Sequence, residues 1–143
     1  MPLAAKTRVL FICVGNSCRS QMAEGFARKY GSDVMIAASA GLAPAMMIAE
    51  DTVKAMEEKN IDLRDHFPKG IHQLGRAQFD LLVNMSGYEM PDDLLDVPAR
   101  KWDVADPIAE DFETHCQIRD EIEGLVMGLI LELRRTAALR RSG

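Results

Sequence analysis

The chain has 143 residues, 48% of them hydrophobic and 27% charged, with a formal net charge of −5 and three cysteines. That size and balance suit one domain, residues 1–143, with a real core. They exclude extensive disorder, a broad cationic face for nucleic acid and a disulfide-stapled scaffold.

The first segment, MPLAAKTRVLFICVG, has basic Lys6 and Arg8 near its start and then an apolar run. The run is short, meets Asn-Ser-Cys-Arg at once and has no small-residue cleavage site, so it reads as a strand over 8–14 buried on both faces, not as a leader. After a Gly-Asn-Ser turn, Met22, Phe26 and Tyr30 recur at helical spacing, with Gly31 placed to end the helix. A second strand is expected over 34–39 and a second helix over 50–59, with Val53 and Met56 on one face and Asn60 at its end. A third strand follows over 79–85 and a short fourth over 101–104. From Glu110 onward Ile122, Leu125, Val126, Leu129 and Leu133 keep helical spacing, which puts Cys116 on a long amphipathic helix and in the core. No stretch approaches the ~20 apolar residues of a membrane helix. The expected setting is a reducing cytoplasm with free thiols.

The order β-α-β-α-β-β-α argues for an α/β fold of three layers, a parallel sheet with helices on both faces. Ligands of such sheets bind beyond the carboxyl ends of the strands. The stretch CVGNSCRS, Cys13 to Ser20, lies at such an end.

A loop between a buried strand and a helix start offers several backbone N–H groups to one point, and the helix dipole there favours negative charge. Gly15 permits unusual dihedrals and Asn16 tolerates them, so Val14, Gly15, Asn16, Ser17 and Cys18 can wrap an anion. Arg19 adds a planar fork for two oxygens of a tetrahedral oxyanion. Cys13, under the same amides, gains surroundings that favour thiolate and a position for in-line attack on the bound centre. Ser20 can donate to that sulfur. Other readings of the same letters are weaker. A metal site of Cys13 and Cys18 completed by His115 and Cys116 needs four ligands from distant parts of the chain, so no metal is expected. A nucleotide loop lacks Gly-Lys-Ser/Thr. Buried structural cysteines leave Arg19 and the turn unexplained, and a Cys13–Cys18 disulfide reads as a reversible event.

VLFICVGNSCRSQMAEG closely resembles the phosphate-binding loop of the low-molecular-weight protein tyrosine phosphatases and of the arsenate reductases that share their fold. Ser39-Ala-Gly41, Ile61-Asp-Leu63 with His66, and Asp106-Pro107 follow in that family's order. The resemblance implies a flavodoxin-like four-stranded parallel sheet, Cys13 as nucleophile, Arg19 as clamp and Asp106 as general acid. It also implies a hydrogen-bonded brace of Asn16, Ser20, Ser39 and His66 around the loop. By residues alone Asp103, Glu110 and Asp111 compete with Asp106, and His72 and His115 have no assignment.

Within the family, Gln21-Met-Ala-Glu-Gly25 resembles the reductases, and no aromatic follows Ser-Ala-Gly or Asp-Pro to wall a phosphotyrosine ring. The thioredoxin-coupled reductases carry a resolving cysteine after the third strand and another beyond it. Ser86 and Asp92 or Asp93 stand at those places here. The leading expectation is therefore an arsenate reductase whose second thiol is external: glutathione, mycothiol, or a glutaredoxin-, mycoredoxin- or thioredoxin-type protein, with Cys18 as the internal alternative. No prosthetic cofactor is implied. The runner-up is a phosphatase acting on a phosphotyrosine protein through a phosphocysteine, and a third reading is a non-catalytic phosphate or arsenate binder.

Overall fold

A computed structural model describes residues 5–74 and 78–142, so the first four residues of the segment weighed as a leader lie outside the described residues. Four strands, β1 (Thr7–Cys13), β2 (Met35–Gly41), β3 (Leu81–Asn84) and β4 (Ala99–Lys101), form a parallel sheet in the order β2-β1-β3-β4. The helices are α1 (Arg19–Gly31), α2 (Glu50–Glu57) and α3 (Phe112–Ser142), with 3-10 turns at Ile71–Leu74 and Asp92–Leu94. No described helix is long and apolar enough to cross a membrane.

The side chains of β1 alternate between two apolar layers, as a strand with both faces covered must. Val9 and Phe11 join Leu81 and Val83 beneath Met22 and Phe26 of α1, Val53 and Met56 of α2, and Ile122, Val126 and Ile130 of α3. Leu10 and Ile12 face the opposite way, onto Ile71 and the partly buried Leu74 and Leu94 of the 3-10 turns. Helical structure thus covers both faces unequally, with all three α-helices on one of them. Each large side chain so buried contributes about 1.5–3 kcal/mol of transfer free energy. Because β1 is central, its carboxyl end lies where the strand order reverses, the usual place for a ligand.

Gly31 ends α1 as expected, but not as a left-handed cap. A Cβ there would lie 2.6 Å from Ile130 Cγ1, so the missing side chain lets α3 cross closely. Asn60 does take the left-handed conformation, at φ 60°, after α2 closes.

Two expected boundaries move for physical reasons. The fourth strand lies at Ala99–Lys101 and not over 101–104, because Ala99, Arg100 and Lys101 pair with Leu82, Val83 and Asn84. All three are exposed, whereas Val104 is buried beyond the strand with its carbonyl turned to Arg19. The last helix starts at Phe112 because Asp111 Oδ1 accepts the Thr114 amide at 2.9 Å, a side-chain cap for an otherwise unpaired donor. That bond also holds the Asp111 carboxyl below its ordinary pKa.

Cys116 is not a core residue. It is half-exposed, with Sγ 3.7 Å from Glu58 Oε1 and 3.6 Å from Arg119 Nη1. The inward position belongs to His115, which is buried and meets Thr52 Oγ1 at 2.9 Å through Nδ1.

Candidate active site

The turn after β1 is held open from outside. Carbonyls of Cys13, Val14, Gly15 and Ser17 accept from the amides of Leu42, Ala43, Ala45 and Ala49 at 2.9–3.2 Å. These bonds use loop carbonyls, so they do not consume the loop amides. Asn16 sits at φ 52°, the left-handed conformation that an Asn tolerates. Cys18 precedes α1 without a side-chain cap, and the first turn of α1 has no acidic residue. The positive end of the helix is therefore left for an external anion.

Gly41, at the end of β2, is part of this frame. A Cβ there would stand 2.6 Å from the Val14 carbonyl oxygen and 2.9 Å from the Asn16 nitrogen, both backbone atoms that cannot swing aside. Gly41→Ala is expected to lower stability by about 1–3 kcal/mol and to weaken phosphate binding. Thermal melting with and without phosphate checks it, and an unaltered loop affinity would show that the close approach does not shape the loop.

Cys13 is buried at the base of the loop, its Sγ 2.9 Å from Ser20 Oγ. Ser20 Oγ also accepts from Asn16 Nδ2 at 2.7 Å, so sulfur, hydroxyl and amide form one short chain. Arg19 is buried as well. Its Nη1 donates to the carbonyls of Met85 (2.5 Å) and Val104 (3.0 Å), and Nη2 lies 3.4 Å from Asp106 Oδ2. Its Nε is the one buried side-chain nitrogen or oxygen without a partner among the described residues. Such an orphan costs about 1–3 kcal/mol, which an incoming oxyanion oxygen would relieve. Asp106 stands at the rim, more than a third exposed, with Oδ1 accepting the Ile108 amide at 3.1 Å. Of the four competing carboxylates, Asp106 is the one that pairs with the Arg19 guanidinium among the described residues.

The expected brace is assembled differently from its four residues. Asn16 and Ser20 meet directly, whereas Ser39 and His66 stand one residue further out. Ser39 Oγ donates to Glu24 Oε1 at 2.6 Å, and His66 Nδ1 meets Gln21 Oε1 at 3.1 Å. Gln21 Nε2 reaches Asn16 Oδ1 at 3.1 Å, and the Lys69 amide donates to the same oxygen at 3.0 Å. Glu24 is buried among Arg28 at 2.9 Å and His66 and Lys69 at 3.9 Å each. Burial lowers the Lys69 pKa, and Glu24 opposes that shift. Gln21, Glu24 and Lys69 were not anticipated. Gln21 and Glu24 carry a signal, polar residues three apart on one face of α1 just past the loop; Lys69 carries none.

Cys18 differs from Cys13. Burial pushes its thiol up to about 11, with a Thr52 hydrogen bond in partial opposition and Asp106 adding to the rise. At neutral pH Cys18 stays protonated, a poor attacker. Ser86, at the place of a resolving cysteine, is buried in a turn in which its amide and hydroxyl donate to Asn84 Oδ1 at 2.9 and 2.6 Å. At the two family places without an aromatic, Met46, Met47 and Ile108 are exposed apolar side chains.

Comparison with known proteins agrees with this geometry. The chain is 34% identical to arsenate reductase 1 of Bacillus cereus (strain ATCC 10987 / NRS 248), over 82% of this chain and 89% of that one. It is 28% identical to a glutaredoxin arsenate reductase of Synechocystis sp. (strain ATCC 27184 / PCC 6803 / Kazusa), over 88% and 98%. A solved arsenate reductase in the phosphate-binding state superposes with a TM-score of 0.81 at 28% identity, covering 89% of this chain and 98% of that one. Residues 8–139 match the low molecular weight phosphotyrosine protein phosphatase family. The chain belongs to that family, among whose members it is similar to arsenate reductases.

Proposed function

We propose that this protein is a cytoplasmic arsenate reductase, acting as one domain, that draws its reducing thiols from outside the chain. Arsenate binds in the loop, held by the amides of residues 14–19 and by Arg19. The Cys13 thiolate attacks arsenic and displaces one oxygen, which leaves as water after protonation by Asp106. An external thiolate then attacks the Cys13 sulfur. The S–S bond forms, the S–As bond breaks, and its electron pair stays on arsenic, which falls from As(V) to As(III) and departs as arsenite. A second thiol reduces the mixed disulfide and restores Cys13, so two thiols are oxidised for each arsenic reduced. In this reading no prosthetic group takes part.

The observation that carries the external thiol is the state of the internal candidates. Ser86 has no sulfur, Cys18 is held protonated by burial, and Cys116 lies away from the loop beside Glu58. The names of the similar proteins, a glutaredoxin arsenate reductase among them, favour arsenate and a redoxin partner. The phosphatase reaction would use the same Cys13, Arg19 and Asp106, with water in place of the thiol. No aromatic follows Ser39-Ala-Gly41 or Asp106-Pro107, the two places named above for a wall around a phosphotyrosine ring, which counts against that substrate.

The test is a parallel assay of arsenite formation with glutathione plus glutaredoxin, mycothiol plus mycoredoxin, and thioredoxin, beside kcat/KM on phosphotyrosine peptides. Arsenite is expected only when a small thiol and its matching redoxin are present. Brisk peptide hydrolysis, with no reductant supporting arsenate turnover, would replace this reading with the phosphatase.

A further inference from the structure

A cavity of about 440 Å³ opens between the loops that follow β3 and β4, and the reaction described above does not use it. That volume is within the range of small-molecule sites. Its walls include Met85 and Tyr88 from one loop and Lys101, Trp102 and Asp103 from the other, with Arg19 shared between the cavity and the anion site. The Arg19 guanidinium holds a carbonyl from each wall, Met85 and Val104. The Met85 amide in turn donates to the Ile12 carbonyl at 2.7 Å, so the inner wall abuts β1 one residue before Cys13. Whatever fills the cavity meets Arg19, the residue that the cavity shares with the anion site.

The mouth defines the occupant's chemistry. Lys101 and Asp103 are both exposed, lie two residues apart and line the same cavity. Neither is in an ion pair among the described residues, whereas nearby Arg100 is engaged by Glu132. An unpaired cation and an unpaired carboxylate on one rim match a ligand that carries a carboxylate and an ammonium together. Tyr88 and Trp102 offer flat apolar surface for a short stem. The amide oxygen of Asn84 is already taken by Ser86 and its nitrogen by the Tyr88 carbonyl, so Asn84 shapes the loop and leaves ligand contact to the others.

We propose that this cavity seats the first external thiol, a short peptide thiol with a free amino-acid head. Its carboxylate lies on Lys101, its ammonium on Asp103, its stem against Tyr88 and Trp102, and its sulfur past Arg19 toward Cys13. The proposal rests on the arsenate reductase reading and names the co-substrate class for it. The site explains how a thiol reaches a buried Cys13 without an internal cysteine after β3: the incoming molecule enters beside Ser86.

Trp102 is the single tryptophan of the chain, so its fluorescence reports the cavity directly. Titration with S-methylglutathione, which binds but cannot reduce, is expected to give a saturable change in the range of about 1 mM or below. The dissociation constant should rise about tenfold in Lys101→Ala, the size of one charge-assisted contact. S-methyl-N-acetylcysteine, which lacks the amino-acid head, should bind more weakly and be indifferent to Asp103→Asn. In turnover with glutaredoxin present throughout, the ratio of kcat/KM for glutathione to that for 2-mercaptoethanol should fall about tenfold in Lys101→Ala. No saturable change, or equal losses with both thiols, overturns the site. Binding without arsenate turnover supports the cavity and removes the reductase reading, whereas glutathione-driven turnover without binding at Trp102 does the reverse.

Discussion

Cys13→Ser is expected to lose about 10⁴-fold or more in both arsenate reduction and aryl phosphate hydrolysis while still binding phosphate. The two halves of this expectation have separate causes. Anion binding belongs to the loop amides, the free end of α1 and the unpartnered Arg19 Nε, none of which the substitution touches. Chemistry belongs to the sulfur. A serine hydroxyl can keep the bond to Ser20 that Cys13 makes at 2.9 Å, so the fold should accept it. It cannot supply a thiolate, nor can oxygen form the bond that releases As(III) with its electron pair. Isothermal titration with phosphate, beside single-turnover assays with both substrates, measures the two halves independently. Rates near wild type would remove Cys13 from the reaction, and lost phosphate binding would mean that sulfur helps to shape the loop.

Arg19→Lys is expected to lower kcat/KM about 10²–10³-fold although the charge is kept. Arg19 performs several tasks from one plane: Nη1 on the Met85 and Val104 carbonyls, Nη2 near Asp106, and Nε left over for the anion. An ammonium is a point donor at the end of a flexible stem and cannot hold the two walls while facing the oxyanion. Each buried carbonyl left without its donor costs about 1–3 kcal/mol, so the melting temperature should fall as well. Kinetics separate the effects. A rise in KM reports lost ground-state grip, and a fall in kcat reports lost stabilisation of the charge that builds on the oxyanion. A melting temperature and rate both close to wild type would show that the Met85 and Val104 contacts do not matter.

Much of this architecture was legible in the sequence where a local pattern and the tertiary structure demand the same thing. The run before Cys13 has to be a central strand because nothing polar interrupts it, and the turn after it has to face a ligand because Cys13, Asn16 and Arg19 serve no packing purpose. The fourth strand was misplaced because its three residues carry no apolar alternation; only the partner Leu82–Asn84 defines it. The brace was half legible. Asn16 and Ser20 are four apart around one turn, but Gln21, His66 and Lys69 meet only because the chain after α2 folds back over the loop. Cys116 shows a different failing. The apolar stripe through Ile122 and Val126, carried back two turns, arrives at His115, so helical phase alone pointed to the histidine and away from its neighbour.

The narrowness of β4 has a consequence for the protein in a crowded cell. A long bare margin on a parallel sheet is an invitation to another chain's backbone, and a protein that leaves its strand ends open for catalysis cannot cover that margin with a bulky element. Here the β4 edge offers only Ala99, Arg100 and Lys101, with Arg100 tied to Glu132 and Lys101 exposed, so a strand approaching on that side meets too few free amides to add on. Resistance to strand addition on this side of the sheet is thus built into the same short segment that leads into one wall of the cavity.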